Sequence, residues 1–492
     1  MIYMNVLVRL FSLKFLTAVF GVGFSILQVR YFGSSRTIEI YFAAQTLVYL
    51  ISSLSQSGQL SEVFLPIFKE LNLINKDYGF KALSIVLNRL IIPLSLIIIL
   101  LFFLAPLIIQ ILIPGYESNE KEQAVMMFRI LSPFIILQTL KSFFTTTLNA
   151  EKKFGRAEFL GLISTLINIF SLLILYPKYQ VWALVFGLLI GKLTEIFFYF
   201  NELKKIGYKF EFIFNFHLFD HRSFFNTLSR SLLYVSTTQI YLTVLTASIS
   251  HLPEGVFAVF KYVQNIEKKI RGLVIQPFIT IFFTKYYELK NNFNSLKKEV
   301  AINYSNLIIV VNVLFIVSLF FSKQFIDFVW GGEKFSNYDV NLAYNFFLLC
   351  ILGMLFNSVG LLFRKIVISE GYAKKLYTIW SFSQLISALL TYLLIKHFNV
   401  SGLLFVLPIN NFLLSKGSYY VYKKTNNFIR FLKITNHEIK LFIIIIFSIV
   451  SFCLTDVFPI DNLILRLFIN LLTVILLIIY PVKIFVKNNL NG

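Results

Sequence analysis

The stretch 181-VWALVFGLLIGKLTEIFFYFNELKK-205 has a twin further along the chain, 400-VSGLLFVLPINNFLLSKGSYYVYKK-424. The two begin 219 residues apart, and Leu184, Phe186, Leu188 and Ile190 fall on Leu403, Phe405, Leu407 and Ile409. Lys204 and Lys205 fall on Lys423 and Lys424, Glu151 on Glu370, and Ile167 on Ile386, all at the same spacing. At a slightly shorter spacing, YFAAQ from Tyr41 resembles VFAVF from Val256, and Glu70-Leu71 resembles Glu288-Leu289. Each twin is an apolar run of the length that crosses a bilayer, closed by lysines on one side. The repeat that contains them holds six such runs. An even number returns the chain to its starting side, so the two copies point the same way across the membrane. They are then related by an axis along the membrane normal, an arrangement found in secondary transporters.

Composition supports this reading. Of 492 residues, 57% are hydrophobic and 14% charged, with a mean hydropathy of +0.77. That is too little charge to cover a soluble surface. About fourteen runs are long enough to span, centred near Phe20, Val48, Ile97, Phe134, Ile167, Leu188, Thr237, Ile270, Val310, Ile351, Ser387, Leu407, Ile446 and Val474. The expected fold is an all-α polytopic membrane protein with two pseudo-symmetric six-helix lobes, residues 1–212 and 213–432, plus two C-terminal helices in 433–492. Arg9 and Lys14 precede the first run, but no small-residue cleavage site follows, so it reads as a retained helix.

The formal net charge of +21 would suggest nucleic acid in a soluble protein. Here the bases sit in short loops between spans and fit anionic membrane lipids instead. They cluster in alternate loops: Lys152, Lys153 and Arg156; Lys204, Lys205 and Lys209; Lys290, Lys297 and Lys298; Arg364, Lys365, Lys374 and Lys375; Lys423, Lys424, Arg430 and Lys433. The intervening loops carry Glu117, Glu120, Glu122, Glu254, Asp327, Glu333, Asp339, Asp456 and Asp461. The positive-inside rule then places both termini in the cytoplasm.

One span breaks the pattern. In 261-KYVQNIEKKIRG-272, four bases and a carboxylate interrupt the eighth run, on its outer or central part. At 100° per residue, Lys261, Gln264, Asn265, Lys268 and Arg271 cover about 120° of the helix, with Lys269 on one flank. Glu267 lies on the other flank, one turn from Arg271 and able to pair with it. A charge at mid-bilayer costs about 2.5–3.5 kcal/mol even on the lenient insertion scale. This face should therefore look into water or protein. One reading is the cationic wall of a cavity for an anionic substrate, with Lys261, Lys268 and Arg271 contacting phosphate and Glu267 orienting Arg271. The other is a long helix whose bases snorkel or pair structurally. The last two spans, nearly uniform in apolar residues, offer either a groove for a lipid tail or scaffold.

A family resemblance rests on further residues. 20-FGVGFSILQVRYFGSSRTIEIYFAAQ-45 and 57-SGQLSEVFLPIFKEL-71 resemble the start of the MurJ/MviN lipid II flippases, of the multidrug/oligosaccharidyl-lipid/polysaccharide exporter superfamily. Gly21, Arg30, Phe32, Gly33, Glu39, Gly58, Ser61, Phe64 and Pro66 carry the match. LNAEKKF from Leu148, LKKIG from Leu203, Gln239-Ile240, Gly255, Tyr262, Glu267 and Gly272 extend it. The resemblance implies fourteen helices, two lobes and a central cationic cavity. It implies a flippase that moves a polyprenyl-diphosphate-linked glycan across a bacterial inner membrane by alternating access. Arg30 and Glu39, flanking the first outer loop, would line the cavity mouth or form a surface pair. The family's cavity arginines align with Ala18, Phe24, Ser52 and Asn265, none of them basic. Lys261, Lys268, Lys269 and Arg271 would replace them. The family's sodium site draws on acids in the seventh and eleventh helices, which hold none here, so no such site is expected. The cargo is lipid II or a related O-antigen, capsule or exopolysaccharide repeat unit.

Other motifs are weaker. His217, Asp220 and His221 have one-turn spacing but no further ligand, and a solvated helix face explains them better than a metal. Lys192 and Glu195 either pair across a bundle or line the cavity. Asn399-Val400-Ser401 has the form of a glycosylation site. Cys350 and Cys453 lie in apolar runs and make no disulfide framework. GLLIGKL from Gly187 has the wrong spacing for a phosphate-binding loop, and no nucleophile elbow, zinc-hydrolase motif or dinucleotide fingerprint is found. The chain is thus expected to be a transporter that uses no cofactor and no resident metal. Competing classes are a membrane-embedded glycan polymerase or ligase, which would need a large outer loop, and a multidrug exporter, whose cavity would favour carboxylates. The sequence does not give an oligomeric state.

Overall fold

The structure, a computed structural model, describes residues 2–55, 59–215, 217, 219, 221–289, 292–425, 436–457 and 463–490. These form fifteen helices: α1 (Ile2–Phe32), α2 (Arg36–Ser55), α3 (Gln59–Ile74), α4 (Lys76–Leu112), α5 (Ser118–Leu131), α6 (Phe134–Ala150), α7 (Phe154–Tyr179), α8 (Trp182–Lys205), α9 (His221–Ile249), α10 (Val256–Leu289), α11 (Phe293–Trp330), α12 (Asn337–Ser369), α13 (Ala373–Thr425), α14 (Asn436–Val457) and α15 (Leu463–Leu490). The β-structure among the described residues is one isolated bridge, Gly332 to Phe335.

All fourteen expected span centres fall inside a helix. Eight helices are long and apolar enough to cross a membrane by themselves, and the bent pair α5–α6, angled at 41°, makes nine. Two features of the chain account for part of the difference. The long α13 contains two expected spans, separated by a backbone break at Asn399 (φ 51°, ψ −129°). At that break a Cβ on Gly402 would lie 2.1 Å from the Leu394 carbonyl oxygen, so the reversal requires glycine there. The Asn-Val-Ser triplet is therefore the tight turn between two spans. Among the described residues, α10 is broken as an apolar run by its basic stretch.

The repeat recurs in the backbone. Asn399 lies 219 residues after Gln180 (φ 47°, ψ −124°), which turns α7 into α8 in the same unusual conformation. The helix-ending Glu151 (φ −82°, ψ 14°) and Glu370 (φ −89°, ψ 6°) match at the same spacing, as do the positive-φ residues Lys152 and Gly371 that follow them. The Glu117 amide donates to Glu120 Oε2 at 2.8 Å. Its counterpart 219 residues on, the Ser336 amide, donates to Asp339 Oδ2 at 2.9 Å. Both bonds close a helix start reciprocally. Residues 118–150, interrupted at Ser132-Pro133 in the first copy, become the uninterrupted α12 in the second.

The chain divides into two compact units, Met1–Ala258 and Val259–Gly492. In the first, Phe64, Phe68, Phe80, Phe143, Tyr199 and Tyr208 belong to one buried cluster. The segment after α8 is tied down by polar bonds: Asn88 Nδ2 donates to the carbonyls of Glu211 and Ile213 at 2.9 Å each, and Arg89 Nε to that of Phe214 at 2.8 Å. Within lipid, helices gain little from the hydrophobic effect and adhere through close packing of small residues. The GLLIG stretch does this: Gly187 and Gly191 of α8 face Ser171, Asn168 and Ser164 of α7, and a Cβ on Gly191 would lie 2.4 Å from Asn168 Oδ1. In the second unit α12 packs along α13, and the two arms of α13 are joined by Trp380 Nε1, which donates to Leu414 O and to Ser418 Oγ at 3.0 Å each.

Candidate functional site

The basic stretch of the eighth span lies on α10, in the second unit. Its continuous helical backbone puts Glu267 and Arg271 one turn apart, and Arg271 Nε sits 3.1 Å from Glu267 Oε1 as their spacing anticipates. The guanidinium also reaches another helix: Arg271 Nη1 donates to Asn357 Oδ1 of α12 at 3.5 Å, and Asn357 Nδ2 donates to Asn411 Oδ1 of α13 at 3.4 Å. These are long bonds. They form a polar line from α10 through α12 to the second arm of α13. Lys268 is exposed, with Nζ 3.4 Å from Gln264 Oε1, and Lys261, Glu267, Lys269 and Arg271 are half-buried. Four cations and one carboxylate thus share three turns of one helix.

Glu39, in the first unit, has very different surroundings. It is fully buried. Its Oε1 accepts from the backbone amides of Gly255 and Phe257 at 2.9 Å each and of Ala258 at 3.3 Å, the opening turn of α10. Unpaired amides at a helix start favour an anion. Its Oε2 takes Arg36 Nη1 at 2.7 Å and the Tyr116 hydroxyl at 3.2 Å. Arg36 is held in turn by Glu120 at 3.3 Å and stacks over the Tyr116 ring at 4.4 Å, and its amide donates to Glu254 Oε1 at 2.5 Å. Sequence reading set Glu39 beside Arg30, either as lining of a cavity mouth or as a surface pair. The cation beside Glu39 is instead Arg36, three residues away on the same helix and so already within reach by spacing. Arg30 is exposed at the end of α1, next to Tyr31, whose ring packs 4.1 Å from that of Tyr176.

A third charged group joins α6 to α8. Lys192 Nζ lies 2.7 Å from Glu195 Oε2, so these two residues do pair, and Lys141 Nζ lies 2.6 Å from the other oxygen, Oε1. Lys192 also sits over the Phe134 ring at 5.3 Å. Lys141 escaped the sequence reading, although it is a lone base in the apolar run LQTLKSFF.

Of the four positions aligned with family arginines, Ser52 is buried and donates to its own helix at Val48 O, while Ala18, Phe24 and Asn265 are half-buried. Asp220 and the side chain of His221 lie outside the described residues. Among the described residues no three His, Cys, Asp or Glu are grouped to hold a metal.

The family described as "Lipid II flippase MurJ" matches residues 28–473, nearly the whole chain. The chain belongs to the lipid II flippase MurJ family. It is 26% identical over 362 residues to the "Probable lipid II flippase MurJ" of Buchnera aphidicola subsp. Baizongia pistaciae, covering 72% of this chain and 71% of that protein. Its fold is similar to that of "Lipid II flippase MurJ, inward closed conformation", with a TM-score of 0.78, 20% identity and coverage of 98% and 99%. A multidrug resistance MATE family transporter of the MOP superfamily in an inward-facing conformation shares the fold more distantly, with a TM-score of 0.65, 14% identity and coverage of 85% and 99%. MurJ family membership makes the chain a transporter of many membrane spans rather than an enzyme.

Proposed function

We propose that this protein is an inner-membrane flippase for lipid II, moving the lipid-linked glycan across the bilayer by alternating access with both termini in the cytoplasm. Family membership over residues 28–473 supports the cargo class. The single observation that carries the mechanism is the basic face of α10, where Arg271 is oriented by Glu267 and Asn357 and Lys268 projects exposed one turn away. Charged donors held in this way suit a diphosphate, which spreads its charge over several oxygens. Glu267 leaves the guanidinium partly engaged, so an arriving phosphate replaces a weak partner rather than filling a void.

The second reading, a flippase for an O-antigen, capsule or exopolysaccharide repeat unit, draws on one specific observation. By the sequence resemblance, the non-basic residues Ala18, Phe24, Ser52 and Asn265 stand where the family has cavity arginines. Both cargoes carry a polyprenyl diphosphate, so Lys268 and Arg271 would serve either one. Reconstitution in liposomes decides the matter. The wild-type protein should translocate lipid II, and the K268Q/R271Q variant should insert normally yet fail to do so. Equal translocation by the variant would remove α10 from the site, and wild-type activity only on a glycan without the peptide would select the second cargo.

A further inference from the structure

Glu195 is completely buried, and its two oxygens are divided between two lysines, Lys141 at 2.6 Å and Lys192 at 2.7 Å. Each oxygen of the one carboxylate thus lies within ion-pair distance of a separate lysine nitrogen. Among the described residues, neither lysine has another carboxylate within 4.0 Å. The group therefore holds one positive charge more than it balances, inside the helical bundle of a membrane protein. Such a charge is costly and marks function more often than architecture.

The three members differ in access. Glu195 is 0% exposed and the Lys192 side chain 9%, with its ammonium over the Phe134 ring, whereas the Lys141 side chain is 30% exposed. Lys141 is thus the member an incoming ligand can reach. One turn away the polar seam is already closed: Thr145 Oγ1 donates to the Tyr199 hydroxyl at 2.9 Å, which donates to Ala157 O at 3.1 Å. The balancing charge must come from outside the triad.

We propose that Lys141 is a second anion contact of the transport cycle, its ammonium taking a phosphate or carboxylate oxygen of the lipid-linked cargo while Glu195 and Lys192 hold it in place. This rests on the reading of the protein as a carrier of a lipid-linked anion. A triad that served only to join α6 to α8 would lose stability when Lys141 is neutralised. A contact awaiting an anion would not, because Lys192 and Glu195 remain a balanced pair.

The test uses the purified full-length protein with wild-type, Lys141→Gln and Lys141→Arg forms, measuring thermal midpoint and direct binding of undecaprenyl diphosphate and of lipid II. The expected result is an unchanged or raised midpoint for Lys141→Gln, with binding weakened about 10-fold and restored by Lys141→Arg. Weakening toward both ligands assigns the contact to the diphosphate, and weakening toward lipid II alone assigns it to the carboxylates of the peptide. Equal binding by all three forms overturns the proposal, as does a lowered midpoint with loss of binding that Lys141→Arg does not restore. Binding needs no transport, so a wild-type protein that binds these lipids without moving them fails the flippase reading and leaves the contact to be judged separately.

Discussion

Glu39 and Glu267 are both carboxylates beside an arginine on a helix, and their surroundings differ in a way that can be tested. Glu39 accepts three backbone amides, a guanidinium and a phenol, and its arginine is shared with a second acid. Both oxygens of this buried carboxylate have short-range donors. Glu267 pairs with Arg271 at 3.1 Å, but three lysines crowd the same three turns of α10, and the arginine's bond to Asn357 is long. A buried carboxylate with all its donors in place fixes a fold. Charge of one sign gathered on one face leaves capacity for a ligand.

The comparison can be broken first at Glu39. Replacing it with Ala leaves the guanidinium of Arg36 and three amides without their central acceptor in a buried place. Removing one partner of such a pair costs about 3–5 kcal/mol. The thermal midpoint in detergent should fall steeply, with little folded protein recovered. A midpoint close to wild type would show that the network is not a structural tie.

The opposite pattern is expected on α10. Each charge-assisted bond contributes about 1.5–3 kcal/mol, so K268Q/R271Q should lower lipid II transport about 100-fold or more while the midpoint stays within a degree or two. If transport and midpoint fall together, α10 is scaffold like Glu39 and the contrast disappears. Glu267→Gln sharpens it further. The pair is partly exposed, and losing it should cost the fold less than about 1 kcal/mol. Transport should drop several-fold, because Arg271 loses its aim but keeps its charge. Recovery of transport in Glu267→Asp would support a positioning role, and a stability loss as large as that of Glu39→Ala would refute it.

Much of this architecture was legible in the sequence because it depends on spacing along one chain. Fourteen span centres follow from apolar length, and the 219-residue repeat from matched residues. The Glu267–Arg271 pair follows from helical spacing, whereas Lys192 and Glu195 stayed open between pairing and lining a cavity until the contact at 2.7 Å. What was not legible needs contacts between distant segments. No local pattern announces that Glu39 closes on the amides of 255–258, or that Lys141 of α6 reaches a carboxylate on α8. Arg36 lies between these cases. Its spacing to Glu39 lies in the sequence, but only the turn at Gly33 (φ 59°) and the start of α2 decide that Arg36, and not Arg30, shares a helix with the acid.

The smallest effect tests how far the polar line beyond Arg271 matters. Asn357 meets the guanidinium at 3.5 Å and Asn411 at 3.4 Å, both near the limit of a hydrogen bond. A bond of this kind contributes about 0.5–1 kcal/mol, so Asn357→Ala should reduce transport only about 2–5-fold. It removes no charge, and the midpoint should barely move. The informative measurement is therefore the pair of variants together. If Asn357 acts by orienting Arg271, its effect should vanish in a background that already carries Arg271→Gln. If the two losses add in full, Asn357 touches the cargo itself, and the site continues past α10 onto α12.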